Sequence, residues 1–264
     1  MNGEGDPIEE AWAALEEGRA EETLAILAAL DAGDGERWAV EALARVELGD
    51  LDEAERALER ARKMLGTDDV DVVWAQGEIA LHRWRIAEAR EAYEAIAELE
   101  RSVPVLERLA LCRDVEGDFE TADALLAEAN ALDPELCPLP PRLSSEEFEA
   151  IVQQAVEKLP EDFQKAFETT PVIIDAMPGP GAVVGDGRET PPDLLGLFVG
   201  ASFLERNSPE SGELPPAIYL FRRNLERLCR NRDDLKEEIR ITLYHELGHA
   251  LGFDEDGVEE MGLA

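Results

Sequence analysis

Apolar and small residues in the first half of the chain recur three and four apart, in short stretches broken by tight Gly-Asp turns; the second half alternates brief apolar runs with loops rich in Gly, Pro and acids. The first half repeats itself. Gly49-Asp50-Leu51-Asp52-Glu53-Ala54 recurs as Gly117-Asp118-Phe119-Glu120-Thr121-Ala122, more loosely as Trp84-Arg85-Ile86-Ala87-Glu88-Ala89, and weakly as Gly18-Arg19-Ala20-Glu21-Glu22-Thr23. In chain order these copies are spaced by 31, 35 and 33 residues. Small residues stand seven places before each Gly or Trp, at Ala11, Ala42, Gly77 and Ala110, and Leu58, Tyr93 and Leu126 lie seven places after the Leu, Ile or Phe of their copies. Each unit predicts two amphipathic helices joined by a tight turn. Small residues let the paired helices approach, and the large one fills the gap to the next unit. A single unit cannot bury its apolar face, so the pattern predicts units stacked into a solenoid.

The grammar changes at a proline-rich stretch, Pro134-Glu135-Leu136-Cys137-Pro138-Leu139-Pro140-Pro141-Arg142-Leu143. Missing N–H donors and ring clashes disfavour helix there. Ser144 then begins a capping box with Glu147, and an amphipathic helix is expected through about Lys158. Pro171–Asp175, Leu194–Val199 and Ala217–Phe221 read as strands, Pro178 to Pro192 as a loop, and about Asp233 to Leu251 as a long final helix. The fold class expected is two-domain: an all-α helical-repeat solenoid over 1–134, a linker over 135–143, and a small α+β domain over 144–264.

The final helix carries the chemistry. His245-Glu246-Leu247-Gly248-His249 places two of the chain's three histidines four apart, hence on one helix face and within reach of one metal ion. Glu246 stands where a carboxylate can meet a metal-activated water and act as general base, the mechanism attached to HExxH on a helix. Zinc is the ion expected, and it needs a third protein ligand. Only 15 residues follow His249, so a glutamate arriving from a separate later helix has no room. Gly252 is placed to end the helix in a left-handed turn that sends the chain back towards the metal. Glu255, ten after His245, matches the offset of the third ligand in the extended HExxHxxGxxH pattern and is the first choice; Asp254 is the second and Asp256 the third. A His₂-carboxylate set also suits other divalent ions. Gly248, in mid-helix, makes sense if a strand or the metal face packs closely there.

Charge narrows the partners. The chain carries 25 basic and 61 acidic residues, a formal charge of −36. Residues 1–134 hold 35 acids and 13 bases, residues 135–264 hold 26 and 12, so both halves are acidic. Such a surface repels nucleic acid and anionic membrane, and favours basic peptides or cations. No segment approaches the run of about 18 apolar residues that a membrane span needs. The three cysteines form no CxxC pair, and the first residues show no basic-then-apolar leader; both point to a cytoplasmic protein. His82 stands alone in a repeat helix and reads as a surface or packing residue, Cys112 as repeat core, and the four tryptophans as fillers between helices.

Residues 7–134 resemble the tetratricopeptide repeat family. Residues 145–264 resemble the minimal zincin-like metallopeptidases, a bacterial family of compact domains. The features that carry this second resemblance are Phe148 to Pro160, Leu195-Gly196-Leu197, the Leu214-Pro215 to Leu220 strand, and His245 to Gly252 followed by acids. The resemblance implies a small sheet packed on the motif helix, bound zinc, His245 and His249 as ligands, Glu246 as catalytic base and an acidic third ligand. Met261 departs from the distant Met-turn of larger relatives and reads as packing. The function expected is a zinc metallopeptidase hydrolysing a protein or peptide substrate, basic or extended, recruited by the repeats and pairing with an edge strand supplied by Ala217–Phe221 or Leu194–Val199. The alternative is a protein-interaction adaptor with a metal-stabilised zincin module.

Overall fold

The computed structural model describes residues 6–30, 33–159, 164–168, 170–180, 190–200 and 215–253. The chain divides into two compact units, Met1–Asp133 and Pro134–Ala264.

The described residues of the first unit form eight helices: α1 (Pro7–Glu16), α2 (Ala20–Leu27), α3 (Gly35–Glu47), α4 (Leu51–Leu65), α5 (Val70–His82), α6 (Ile86–Leu99), α7 (Val103–Val115) and α8 (Phe119–Leu132). Asp6, Asp34, Asp69 and Asp118 cap four of them, each side chain accepting from a first-turn N–H. The helices pack in consecutive pairs, and α3 also packs on both α1 and α5. All four turns of the repeat alignment close alike. Gly18, Gly49, Trp84 and Gly117 have φ of 71°, 74°, 56° and 80°. In each turn the next residue's N–H reaches back five positions: Arg19 to Ala14 O, Asp50 to Arg45 O, Arg85 to Ala80 O and Asp118 to Arg113 O, at 2.8–2.9 Å. These are Schellman closures, which satisfy the last helical carbonyls. Trp84 is the one non-glycine at positive φ among the described residues. A side chain there costs about 1–2 kcal/mol.

The paired small and large residues of the repeat lie in the core. Ala11, Ala42, Ala110 and Tyr93 are fully buried. Gly77 shows why the third copy differs: a Cβ there would lie 2.6 Å from Tyr93 Cε1. The Tyr93 ring is held from both sides, its edge against Trp74 at 5.4 Å between centroids and its hydroxyl donating to Glu78 Oε1 at 2.7 Å. The same oxygen accepts from Arg108 Nε at 2.7 Å, so the buried Glu78 carboxylate is paired.

The second unit begins with the proline-rich stretch, which is packed rather than free: Cys137 and Leu143 are buried, and Leu143 N–H donates to the buried Glu226 at 3.1 Å. Arg142 Nη1 donates to the other Glu226 oxygen at 2.8 Å. Helix α9 (Ser145–Glu157) starts with the capping box of Ser144 and Glu147 and buries Phe148, Val152 and Ala155. After a 3-10 turn at Lys165–Glu168 come β1 (Val172–Asp175), β2 (Gly196–Val199) and β3 (Ala217–Phe221), then α10 (Arg222–Leu228) and α11 (Arg232–Leu251). The sheet order is β1-β3-β2, with β1 parallel and β2 antiparallel to β3. Two expectations change. β3 has a partner on each side, so Ala217–Phe221 is a central strand and offers no edge to a substrate. β2 begins at Gly196 rather than Leu194: the chain enters through a turn in which Leu194 N–H donates to Pro191 O at 3.3 Å, and the Leu194 and Pro192 carbonyls accept from the buried Asn224 amide at 2.8 and 2.9 Å. Helix α10, which the strand-and-loop pattern did not predict, brings Asn224 and Glu226 to these two jobs. Helix α11 lies between α9 and the sheet, and Tyr244 OH donates to Ala155 O at 3.3 Å.

Candidate functional site

From Thr242 to Ala250, α11 is buried at every position except two, His245 and His249, which are half-exposed. A helix enclosed by α9 on one side and the sheet on the other would ordinarily be apolar all round. The two imidazoles therefore occupy the strip the packing leaves open. Their Nε2 atoms converge to 3.1 Å, with the rings edge to face at 4.7 Å between centroids. Two nitrogens bound about 2.0–2.1 Å from one tetrahedral zinc lie about 3.3–3.4 Å apart. The pair fits that requirement with almost no movement.

The end of α11 orients one ring. Gly252 adopts φ 95° and closes the helix as the repeat turns do, its N–H donating to His249 O at 3.0 Å and Phe253 N–H to Gly248 O at 3.1 Å. The closure aims the Phe253 carbonyl at His249, whose Nδ1–H donates to it at 3.1 Å. That bond selects the tautomer with the Nε2 lone pair directed to the convergence point, the usual second contact of a metal-binding histidine.

Glu246 faces the sheet and is 7% exposed. Phe221 N–H donates to Leu195 O, so alternate residues of β2, Leu197 and Val199, turn their backbone groups towards β3, while Gly196 and Phe198 turn theirs outward. The outward Phe198 N–H donates to Glu246 Oε2 at 2.6 Å. This short distance is that of a charge-assisted bond. Gly196 makes room for it. A Cβ on Gly196 would lie 2.6 Å from Thr242 Cγ2, 3.0 Å from Glu246 Cγ and 3.2 Å from Glu246 Oε1. The close approach of strand to helix lies at Gly196, against Thr242 and Glu246. Two turns before His245, burial holds the Glu238 carboxyl above its ordinary range, opposed by a bond from the Thr242 hydroxyl and reinforced by Glu237.

Of the residues singled out from sequence, His245 and His249 come together, and Glu246 lies beside them in the chain with its carboxylate at β2. Glu255, Asp254 and Asp256 lie outside the described residues, as does Met261. Among the described residues, no third His, Cys, Asp or Glu joins the two histidines in a cluster of three donors. Gly196, the Phe198 amide and the Phe253 carbonyl were not anticipated. Only Gly196 left a signal in the sequence, as a glycine inside an apolar strand, which marks close backbone approach.

Residues 167–263 match a family model described as zincin-like metallopeptidase. The match covers the sheet, α10 and α11 and leaves the helical unit outside. No curated protein matches the chain.

Proposed function

We propose that the second unit is a zinc-dependent peptidase and that the helical unit recruits its protein substrate. The observation that carries this reading is the convergence of His245 and His249 Nε2 at 3.1 Å, with Glu246, next to His245 in the chain, holding its buried carboxylate at the outward side of β2. The match of residues 167–263 to the zincin-like metallopeptidase model supports it. His245 and His249 would hold the zinc, with Glu255 as third ligand ahead of Asp254 and Asp256. Zinc, when bound, polarises a scissile carbonyl and lowers the pKa of a water to about 7. Glu246 takes a proton from the attacking water and delivers it to the leaving amine. An extended peptide pairs along the outward side of β2 through groups other than the Phe198 N–H, which Glu246 holds, and its scissile bond then comes beside Glu246.

The helical unit supplies affinity. Its consecutive helix pairs, common Schellman closures and small-to-large core pairs support a tetratricopeptide-like solenoid. With 35 acids against 13 bases over residues 1–134, it favours basic or extended segments. All three cysteines are buried free thiols, which suits a reducing cytoplasm.

The test is metal content by mass spectrometry on tag-free protein beside His249→Ala, followed by digestion of a peptide library with wild type and Glu246→Gln. The expected result is about one zinc per chain, lost in His249→Ala and kept in Glu246→Gln, with cleavage lost in both. No bound metal and no uptake of added zinc ends the peptidase reading. Zinc bound with no cleavage by wild type leaves an adaptor with a metal-stabilised module.

A further inference from the structure

On the peptidase reading, the position of Glu246 decides the rate, and α11 alone does not fix it. A glutamate side chain has three rotatable bonds, and His245 and His249 leave the helix on a different face. What fixes the carboxylate comes from β2. The Phe198 N–H holds Oε2 at 2.6 Å, and Gly196, two residues earlier on the same pleat face, has no side chain where Thr242 and Glu246 press against the strand. The contacts are too close for any other residue: real Cβ atoms do not approach carbon at 2.6 Å, and the neighbouring Thr242 Cγ2 belongs to a stiff β-branched side chain on a buried helix turn.

We propose that Gly196 and the Phe198 amide are the positioning elements of the catalytic site: Gly196 sets the strand-to-helix distance, and the Phe198 N–H then locks the Glu246 carboxylate at the edge of β2 where the substrate pairs. Gly196 serves as a positioning residue, since it touches the base and not the reacting atoms. Alanine at this position pushes α11 and the Glu246 stem away from β2. The Phe198–Glu246 bond lengthens or breaks. The histidines project elsewhere, so zinc binding survives. A base that loses its Phe198 bond loses alignment, and a misplacement of about 1 Å costs up to roughly 100-fold in rate.

The experiment uses the full chain, labelled at phenylalanine nitrogen, as wild type, Gly196→Ala, Glu246→Gln and the double variant Gly196→Ala/Thr242→Ser. Thr242→Ser deletes the Cγ2 methyl responsible for the closest contact and keeps the hydroxyl that bonds Glu238. In heteronuclear NMR spectra the wild-type Phe198 amide proton is expected far downfield and slow to exchange, as a short bond to a carboxylate requires. Gly196→Ala and Glu246→Gln move it upfield and speed its exchange; the double variant returns it part of the way. On the peptide library, Gly196→Ala lowers kcat by roughly 10–100-fold with KM within about twofold and zinc content unchanged. A Phe198 amide that stays put in Gly196→Ala, or that moves without any return in the double variant, overturns the proposal. Should Gly196→Ala fail to fold, the double variant decides: it must show a Phe198 amide between those of wild type and Glu246→Gln. If wild type cleaves nothing, the peptidase reading fails, and the amide positions alone still decide whether Gly196 and Phe198 place Glu246.

Discussion

Gly77→Ala sets two effects of opposite sign against each other. Gly77 lies inside α5, where replacing glycine by alanine ordinarily stabilises a helix by about 0.8–1 kcal/mol. The new Cβ, however, would stand 2.6 Å from Tyr93 Cε1 and 2.9 Å from Cζ. The ring is hindered from retreating, because its hydroxyl is bonded to Glu78 and the ring packs edge to face with Trp74. Overpacking of a fully buried site costs about 1–3 kcal/mol. The clash offsets or exceeds the helix gain, and Gly77→Ala destabilises the helical unit by about 0–2 kcal/mol. The other copies of the repeat place alanine opposite leucine, Ala42 with Leu58 and Ala110 with Leu126. In a Tyr93→Leu background the clash is gone, and Gly77→Ala should then stabilise by about 1 kcal/mol. The difference between the two backgrounds is a coupling of about 1–3 kcal/mol between two contacting residues. Tryptophan fluorescence in urea reads this cleanly, because Trp12, Trp38, Trp74 and Trp84 all belong to the first unit. Equal destabilisation by Gly77→Ala in both backgrounds would refute the argument and assign the glycine to something other than Tyr93.

Three further outcomes follow from the same structure. Gly117→Ala, where a Cβ meets nothing within 4 Å but φ is 80°, costs about 1–2 kcal/mol in the same fluorescence assay through backbone strain alone, and Gly117→Asn costs less; equal losses would contradict this. Glu226→Ala removes the acceptor of both Arg142 and Leu143 and costs about 2–3 kcal/mol; limited proteolysis should cut the 134–143 stretch first, and unchanged resistance there would count against its being tied down by Glu226. Burial, and then the neighbouring Asp69 and Glu36, raise the Asp71 carboxyl above its ordinary value. The folded unit therefore binds this proton more tightly than the unfolded one, and stability falls as pH rises from the ordinary carboxylate value through the raised one. Asp71→Asn should stabilise relative to wild type above that window and lose its advantage below it, in urea midpoints taken at about pH 7 and about pH 3; a pH-independent difference would refute the assignment.

Much of this molecule could be read from local spacing, because much of it is local. The repeat alignment landed on Gly18, Gly49, Trp84 and Gly117 since a left-handed turn needs glycine or tolerates a rare exception, and that need recurs with each helix pair. The ends of α9 and α11 were equally legible, through Ser144 with Glu147 and through Gly252. His245 and His249 converge because helical spacing alone brings them together. What escaped depends on partners far along the chain. The turn before β2 is held by Asn224, about thirty positions away, and the linker by Glu226, more than eighty positions away. The central place of β3, and the bond from Phe198 to Glu246, likewise follow from pairings that no window of sequence contains.

The sheet order has a kinetic consequence. In the helical unit, neighbours in space are neighbours in sequence, and each pair can close as soon as it is made. The second unit must bring Val172 beside Ile218, 46 positions later, before its sheet exists, and α11 needs that sheet as its floor. Non-local pairing of this kind slows folding by orders of magnitude relative to local helical contacts. A refolding experiment should therefore show two clocks: a fast tryptophan signal, then a slower recovery of the structure that carries the two histidines.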